Sequence, residues 1–307
     1  MEVVQIKNNS IWKAHLALFL VNMLYGASHV IAKGVMPNFV TPAVFILMRV
    51  VGAVFLFWLI LSFSKVKKPD KKDVLRFVFC GFFGVALNQL CFFHGLNFSS
   101  PINSGIIMAM NPIFVVFLSF LFLKESLTFY RVLGVVLGAL GACLLTLDGV
   151  SLKSDAFFGD VLLLVNCTSY AFYLVLAKPL MRKYSPLTVI TYVFSIGLFF
   201  VLLYPPTLME FSKTNFSLIP SEAWIKIMYV VMGVTFLTYL LTLFGLKHLS
   251  ASTSSAYIYT QPVMVILFTY LFAYIGFSED YTNSITPIKI AYMFLIFFGV
   301  YLTGKKE

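Results

Sequence analysis

Residues 101–122 read PINSGIIMAMNPIFVVFLSFLF. A helix of about 20 residues crosses the apolar core of a bilayer, and this one carries Pro112 near its middle. Proline removes a backbone donor and crowds the turn before it, so the stretch predicts a bend at Asn111-Pro112. Hydrocarbon cannot satisfy the carbonyl that a bend frees; neighbouring helices, side chains or water must do so. The design returns 150 residues later in SASTSSAYIYTQPVMVILFTYLF, residues 250–272. There Gln261-Pro262 takes the corresponding place, and Ser254 falls on Ser104. Two bent, polar-marked membrane helices in two related halves predict a binding site between the halves, as in transporters.

Composition agrees with a chain that lives in lipid. Sixty per cent of the residues are hydrophobic and 11% charged, and the mean hydropathy is +0.94. Those values describe a polytopic membrane protein rather than two soluble domains. The formal charge of +10 would suit nucleic acid, but the basic residues sit in short loops between apolar runs, where the positive-inside rule places them. All four cysteines (Cys80, Cys91, Cys143, Cys167) lie inside apolar runs without metal or redox spacing, which predicts packing roles. The first apolar run is long enough to span, and no small-residue cleavage site follows it. An uncleaved first helix is therefore expected.

Apolar runs predict ten transmembrane helices. The first five cover 14–33, 40–63, 74–96, 102–123 and 131–147. The second five cover 159–180, 187–204, 224–246, 251–275 and 287–303. With the N-terminus inside, 16 Lys and Arg face the inner side and five the outer, and Arg49 falls within a helix. This imbalance predicts a protein of the cytoplasmic membrane with both termini cytoplasmic. The halves, 1–147 and 148–307, look like copies. Asn22 in LVNMLYGASHV aligns with Asn166 in LVNCTSYAFYLV, and the same offset of 144 carries Pro42 onto Pro186. Further on, FHGL at 93–96 answers LFGL at 243–246. An odd number of helices per copy makes the second copy insert upside down. The expected fold is an all-α membrane protein of two inverted five-helix repeats with a site near the midplane.

Several of these motifs, in this order, resemble the drug/metabolite transporter superfamily, and within it the ten-helix exporters built from two EamA-type repeats. The resemblance is carried by Tyr25-Gly26 and Lys33 in the first helix and Arg49 in the second. Asn111-Pro112 in the fourth, Lys124-Glu125 after it and the Gly-rich fifth helix complete it. It covers nearly the whole chain. It departs at GFSEDYTNSITP, where a Glu-containing turn is usual, and in a tenth helix without a Gly-rich start. The resemblance implies a basket-shaped bundle around a central cavity, and export of amino acids or other small metabolites.

Enzyme constellations are missing: there is no H-E-x-x-H and no G-x-S-x-G, and GVVLGALG follows no strand. Acidic residues keep to loops and helix ends, so neither a catalytic carboxylate pair nor a metal or other cofactor is called for. A deep carboxylate for cation coupling is missing too. If protons couple to transport, His29 or His94 is the titrating group, against the alternative of a neutral, hydrogen-bonded histidine. Arg49, some nine residues into the second helix, must pair, snorkel or face water. It serves either as a fork for a substrate carboxylate or as an anchor bonded to carbonyls. Lys33 and Lys178 end the first and sixth helices, as snorkelling residues or as contacts at a gate.

The candidate substrate surface is uncharged. Asn22, Tyr25 and His29 share one face of the first helix, and Asn166, Tyr170 and Tyr173 share one face of the sixth. Asn88 and Gln89, Asn103 and Asn111, Thr235 and Tyr239, and Tyr257 and Gln261 add polar groups from the third, fourth, eighth and ninth helices. Each serves either a ligand or an interhelical hydrogen bond. Together they predict an amphipathic cavity for a small zwitterionic or mildly apolar molecule. Pro112 and Pro262 would be the hinges of an alternating-access cycle. A membrane sensor that moves nothing and a facilitative channel are the alternatives.

Overall fold

The computed structural model describes residues 2–64, 68–124, 128–149, 154–280, 282 and 286–304, and every regular element among them is helical. In chain order these are α1 (Glu2–Lys33), α2 (Pro42–Ser62), α3 (Lys71–Phe98), α4 (Pro101–Leu123) and α5 (Phe129–Gly149). The second half follows with α6 (Ser154–Leu180), α7 (Pro186–Leu203), the short α8 (Pro205–Lys213), α9 (Ser221–His248), α10 (251–274) and α11 (Pro287–Gly304). Eight of them, α1 to α4, α6, α7, α9 and α10, contain stretches long and apolar enough to cross a membrane. The apolar stretches of α5 and α11, 129–141 and 290–299, are shorter, although spans were expected at 131–147 and 287–303. Lys65, Lys67, Lys153, Lys305 and Lys306 of the charge count, and Glu125 of the Lys-Glu pair, lie outside the described residues.

Helix starts follow from local chemistry. Ser or Thr before Pro supplies a capping oxygen, and the proline fits the first turn, where its missing N–H costs nothing. Thus Ser100 accepts from Asn103 N at 3.0 Å ahead of Pro101, and Ser185 accepts from Thr188 N at 3.1 Å ahead of Pro186. Ser250 caps α10 in the same way through Thr253 N at 3.0 Å.

The bends expected at the two interior prolines are present, and they are breaks. In α4 the α-helical segments Pro101–Met108 and Asn111–Leu118 are separate, with Pro112 in the first turn of the second. In α10 the segment Ala251–Ala256 passes through a tighter 3₁₀ turn, Tyr257–Thr260, before Gln261–Tyr274 begins with Pro262 in its first turn. Two features were not foreseen. Wide π turns interrupt α3 at Phe82–Leu87 and α9 at Val230–Leu237, and α8 with the 3₁₀ turn Phe216–Leu218 fills the connection between α7 and α9.

Packing crosses between the halves. α1 lies against α9 and α10, α6 lies against α3 and α4, α2 pairs with α7, and α5 pairs with α11. Matching close approaches hold two of these contacts. A Cβ on Gly95 of α3 would come within 2.9 Å of Leu163 of α6, and one on Gly245 of α9 within 2.7 Å of Leu18 of α1. Small residues of this kind are how membrane helices gain contact without a hydrophobic drive between them. Large apolar side chains such as Phe55, Phe117 and Phe199 stand more than half exposed on the outside, as a lipid-facing surface requires. Cys80, Cys91 and Cys167 are free and buried; the side chain of Cys143 lies outside the described residues.

Candidate functional site

The bundle encloses a cavity with about 80 Å³ of water-accessible space. Since one water needs roughly 10–15 Å³ by this measure, several waters fit. Its wall comes from α1, α2, α3, α4, α6, α9 and α10, three or four helices from each half.

Ten of the fourteen residues expected at a substrate surface line it: Asn22, Tyr25, His29, Asn88, Gln89, Asn111, Asn166, Tyr170, Tyr239 and Gln261. Asn103, Tyr173, Thr235 and Tyr257 do not. Tyr173 is fully buried, its ring lying over Gly84 of α3, where a Cβ would be 2.3 Å from Cδ2. Three residues beyond Tyr170 on an α-helix is roughly 60° of rotation, enough to turn Tyr173 from the cavity into the α3–α6 contact. Tyr257 precedes Gln261 by a 3₁₀ turn, which advances about 120° per residue. The four steps therefore carry it off the Gln261 face, and its hydroxyl meets His15 Nδ1 at 2.6 Å instead. Ser28 and Thr242 also line the cavity and were not anticipated. Lone hydroxyls in membrane helices commonly bond back to their own turn, as Ser28 does to Tyr25 O at 2.8 Å, so their sequence carries no signal of a ligand surface.

The breaks in α4 and α10 aim their amides at the other half. Asn111 Nδ2 donates to Cys167 O of α6 at 2.7 Å, and Gln261 Nε2 donates to Asn22 Oδ1 of α1 at 2.9 Å. Asn22 in turn donates to Leu18 O at 2.7 Å, and Asn166 donates to Asn88 O at 2.7 Å. Asn111 Oδ1, Gln261 Oε1 and both polar atoms of the Gln89 amide are buried without a protein partner. Buried polar atoms left unpaired cost about 1–3 kcal/mol each, so these mark a place that water or a ligand completes.

The histidine roles separate. Ser104 donates its hydroxyl proton to Pro101 O at 2.8 Å and faces His29 Nδ1 at 2.6 Å. The His29 ring thus has one nitrogen held by a helix start and lines the cavity with the rest of the ring. His94 does not line the cavity; its ring meets the edge of Tyr204 at 5.8 Å.

The charged candidates also separate. Arg49 lines the cavity and is 3% exposed. Its Nε donates to Thr235 Oγ1 at 2.9 Å, and its guanidinium lies 4.3 Å from the centre of the Phe93 ring. Lys33 and Lys178 stay outside and bind helix ends. Lys33 Nζ donates to Leu96, Asn97 and Ser99 carbonyls at 3.1, 2.8 and 3.0 Å, at the C-terminus of α3. Lys178 Nζ donates to Leu246 and Leu249 carbonyls at the C-terminus of α9. A cation is favourable there, against the negative end of the helix dipole. Among the described residues, no cluster of three or more His, Cys, Asp or Glu stands ready for a metal.

Eight membrane-length helices around an amphipathic cavity describe a multi-pass membrane protein. The model of the EamA-like transporter family matches residues 12–147 and again 157–305, and the chain belongs to that family. Among its relatives in Bacillus subtilis (strain 168), the uncharacterized transporter YyaM is 28% identical over 71% of this chain and 72% of its own length. A second from the same strain, the uncharacterized transporter YetK, is 26% identical over 83% and 78%. A probable terminal-alkyne amino-acid exporter from Streptantibioticus cattleyicolor is 23% identical over 67% and 68%. One solved crystal structure shares the fold with a TM-score of 0.66 at 17% identity, covering 97% of this chain and 98% of that one.

Proposed function

We propose that this protein exports amino acids or similar small metabolites across the cytoplasmic membrane by alternating access. Ten spans would form two inverted five-helix repeats, 1–147 and 148–307, with both termini in the cytoplasm. The observation that carries this proposal is the cavity. It lies where the breaks of α4 and α10 meet the faces of α6 and α1, and both halves supply its polar wall. The two-part match to the family model and the exchange of partners between halves support the repeat. Inverted repeats around a midplane site favour rocking of one repeat against the other. An exporter among the relatives supports the direction and the amino-acid class.

Counterflow in proteoliposomes tests it. Vesicles preloaded with an unlabelled amino-acid mixture should accumulate external labelled amino acid transiently above equilibrium. A membrane sensor moves no label, and a channel shows no stimulation from the far side; either result rejects alternating access.

A further inference from the structure

We propose that the cavity holds a monocarboxylate anion, with its head on Arg49. The proposal rests on the transport function above and narrows its small-metabolite class, for the same cavity, to anions that lack the ammonium group of an amino acid.

The first argument comes from how the three intramembrane-end cations are bonded. Lys33 and Lys178, which cap helices, donate to backbone carbonyls, three for Lys33 and two for Lys178. Arg49 does not. Of the five N–H groups on a guanidinium, the hydrogen bond from Nε to Thr235 is the one it makes among the described residues. Thr235 passes its own proton to Val230 O at 2.8 Å, a five-residue link that the π turn of α9 permits. One face of the guanidinium is covered by Phe93. Nε and that face are thus occupied, and the four terminal N–H groups are left for the space that Arg49 lines. An anchor would be bonded on all sides; this arrangement orients a fork.

The second argument is charge. Among the described residues no Asp or Glu lines the cavity, and Arg49 is the one fixed charge in its wall. An uncompensated cation in a low-dielectric site is costly, and a carboxylate bonded through two parallel N–H···O contacts compensates it best. A phosphate monoester carries nearly two negative charges at neutral pH and would leave one unmatched. A zwitterion leaves the cavity cationic.

Third, the group has no counterpart in the other half. The offset of 144 places Arg49 on Val193, while the offset of 150 places Thr235 on Val85 and Phe93 on Leu243. All three counterparts are fully buried aliphatic residues. A bundle that packs well with valine and leucine at these positions does not need arginine for its fold. The aromatic walls of Tyr25, Phe92 and Tyr170 then receive the apolar body of the anion.

Thermal-shift and equilibrium-binding measurements on the purified full-length protein test this, with 3-phenylpropionate and hexanoate, their amides, phenylalanine and inorganic phosphate as probes. The acids should stabilise the protein and bind, while the amides and phosphate do neither. Arg49→Gln should weaken acid binding by at least about tenfold, the scale of a lost charge-assisted contact, with unchanged elution in size exclusion. Should Arg49→Gln fail to fold, Arg49→Lys and Thr235→Val serve, each expected to weaken acid binding at least about threefold. The proposal is overturned if amides bind as well as acids, if phenylalanine binds tighter than 3-phenylpropionate, if phosphate gives the larger shift, if neither acid binds, or if the variants bind acids normally. Acids that bind while vesicles preloaded with unlabelled 3-phenylpropionate show no counterflow of the labelled acid would reject transport and leave the Arg49 assignment standing.

Discussion

At the scale of single residues, the side chains beside the two prolines do unequal work with their two ends. Asn111 and Gln261 each commit the amide nitrogen to the opposite half and keep an unpaired oxygen buried at the cavity wall. Replacing either with alanine should lower substrate affinity severalfold in counterflow titrations; unchanged affinity with unchanged flux would remove both from the site. Lys33 and Lys178 hold carbonyls at helix ends. Lys33→Met strips three carbonyls at the end of α3 of a charged donor, which should cost about 1–3 kcal/mol and lower the melting temperature of purified protein, with Lys33→Arg restoring part of it. A melting temperature that does not move would contradict the capping role. Much of the cavity wall was legible at this scale, because Asn22, Tyr25 and His29 repeat at helical spacing and lipid drives polar faces inward. For Arg49 the sequence offered a carboxylate fork or an anchor without deciding between them, because its partners Thr235 and Phe93 lie 186 and 44 residues away.

Elements bring in what the 3.6-residue period alone does not encode. Pro112 and Pro262 marked where α4 and α10 break, since a missing N–H and a crowded turn are local events. The 3₁₀ turn at Tyr257–Thr260 and the π turns of α3 and α9 are responses to neighbours, and the turn at Tyr257 is what moved that side chain off the expected face. If the breaks are hinges, Pro112→Ala or Pro262→Ala should slow flux more than it reduces the yield of folded protein; equal losses would reduce the prolines to structural roles. A separate test concerns the α5–α11 pair, which lies outside the cavity wall. A Cβ on Gly299 would sit 2.6 Å from Gly134 O and 2.7 Å from Gly138 N, backbone atoms that cannot turn aside. Gly299→Ala should therefore destabilise the protein by about 1–3 kcal/mol, while flux per folded molecule stays near the unaltered value. Flux lost without loss of stability would place α11 in the transport cycle.

For the whole molecule, the arrangement that matters is the exchange between halves: α1 on α9 and α10, α6 on α3 and α4. An inverted pair with a positive-inside charge bias requires both chain ends on one face. Single cysteines introduced before α1 and after α11 should react with a membrane-impermeant thiol reagent from the same side; reaction from opposite sides would rule out the inverted pair. Hydropathy, proline position and the spacing of polar residues determined by themselves that this chain is a helical membrane protein, that α4 and α10 break at their prolines, and which helices carry polar residues inward. Those are properties of one helix in lipid, and a helix of about 20 residues satisfies its own backbone wherever its neighbours lie. Tertiary structure decided which polar faces converge, that Tyr173 fills the gap over Gly84, and that Arg49 opens onto the cavity while Lys33 and Lys178 close helix ends. These outcomes depend on lateral packing between residues far apart in the chain, where small side chains such as Gly84, Gly95 and Gly245 set how near two helices come.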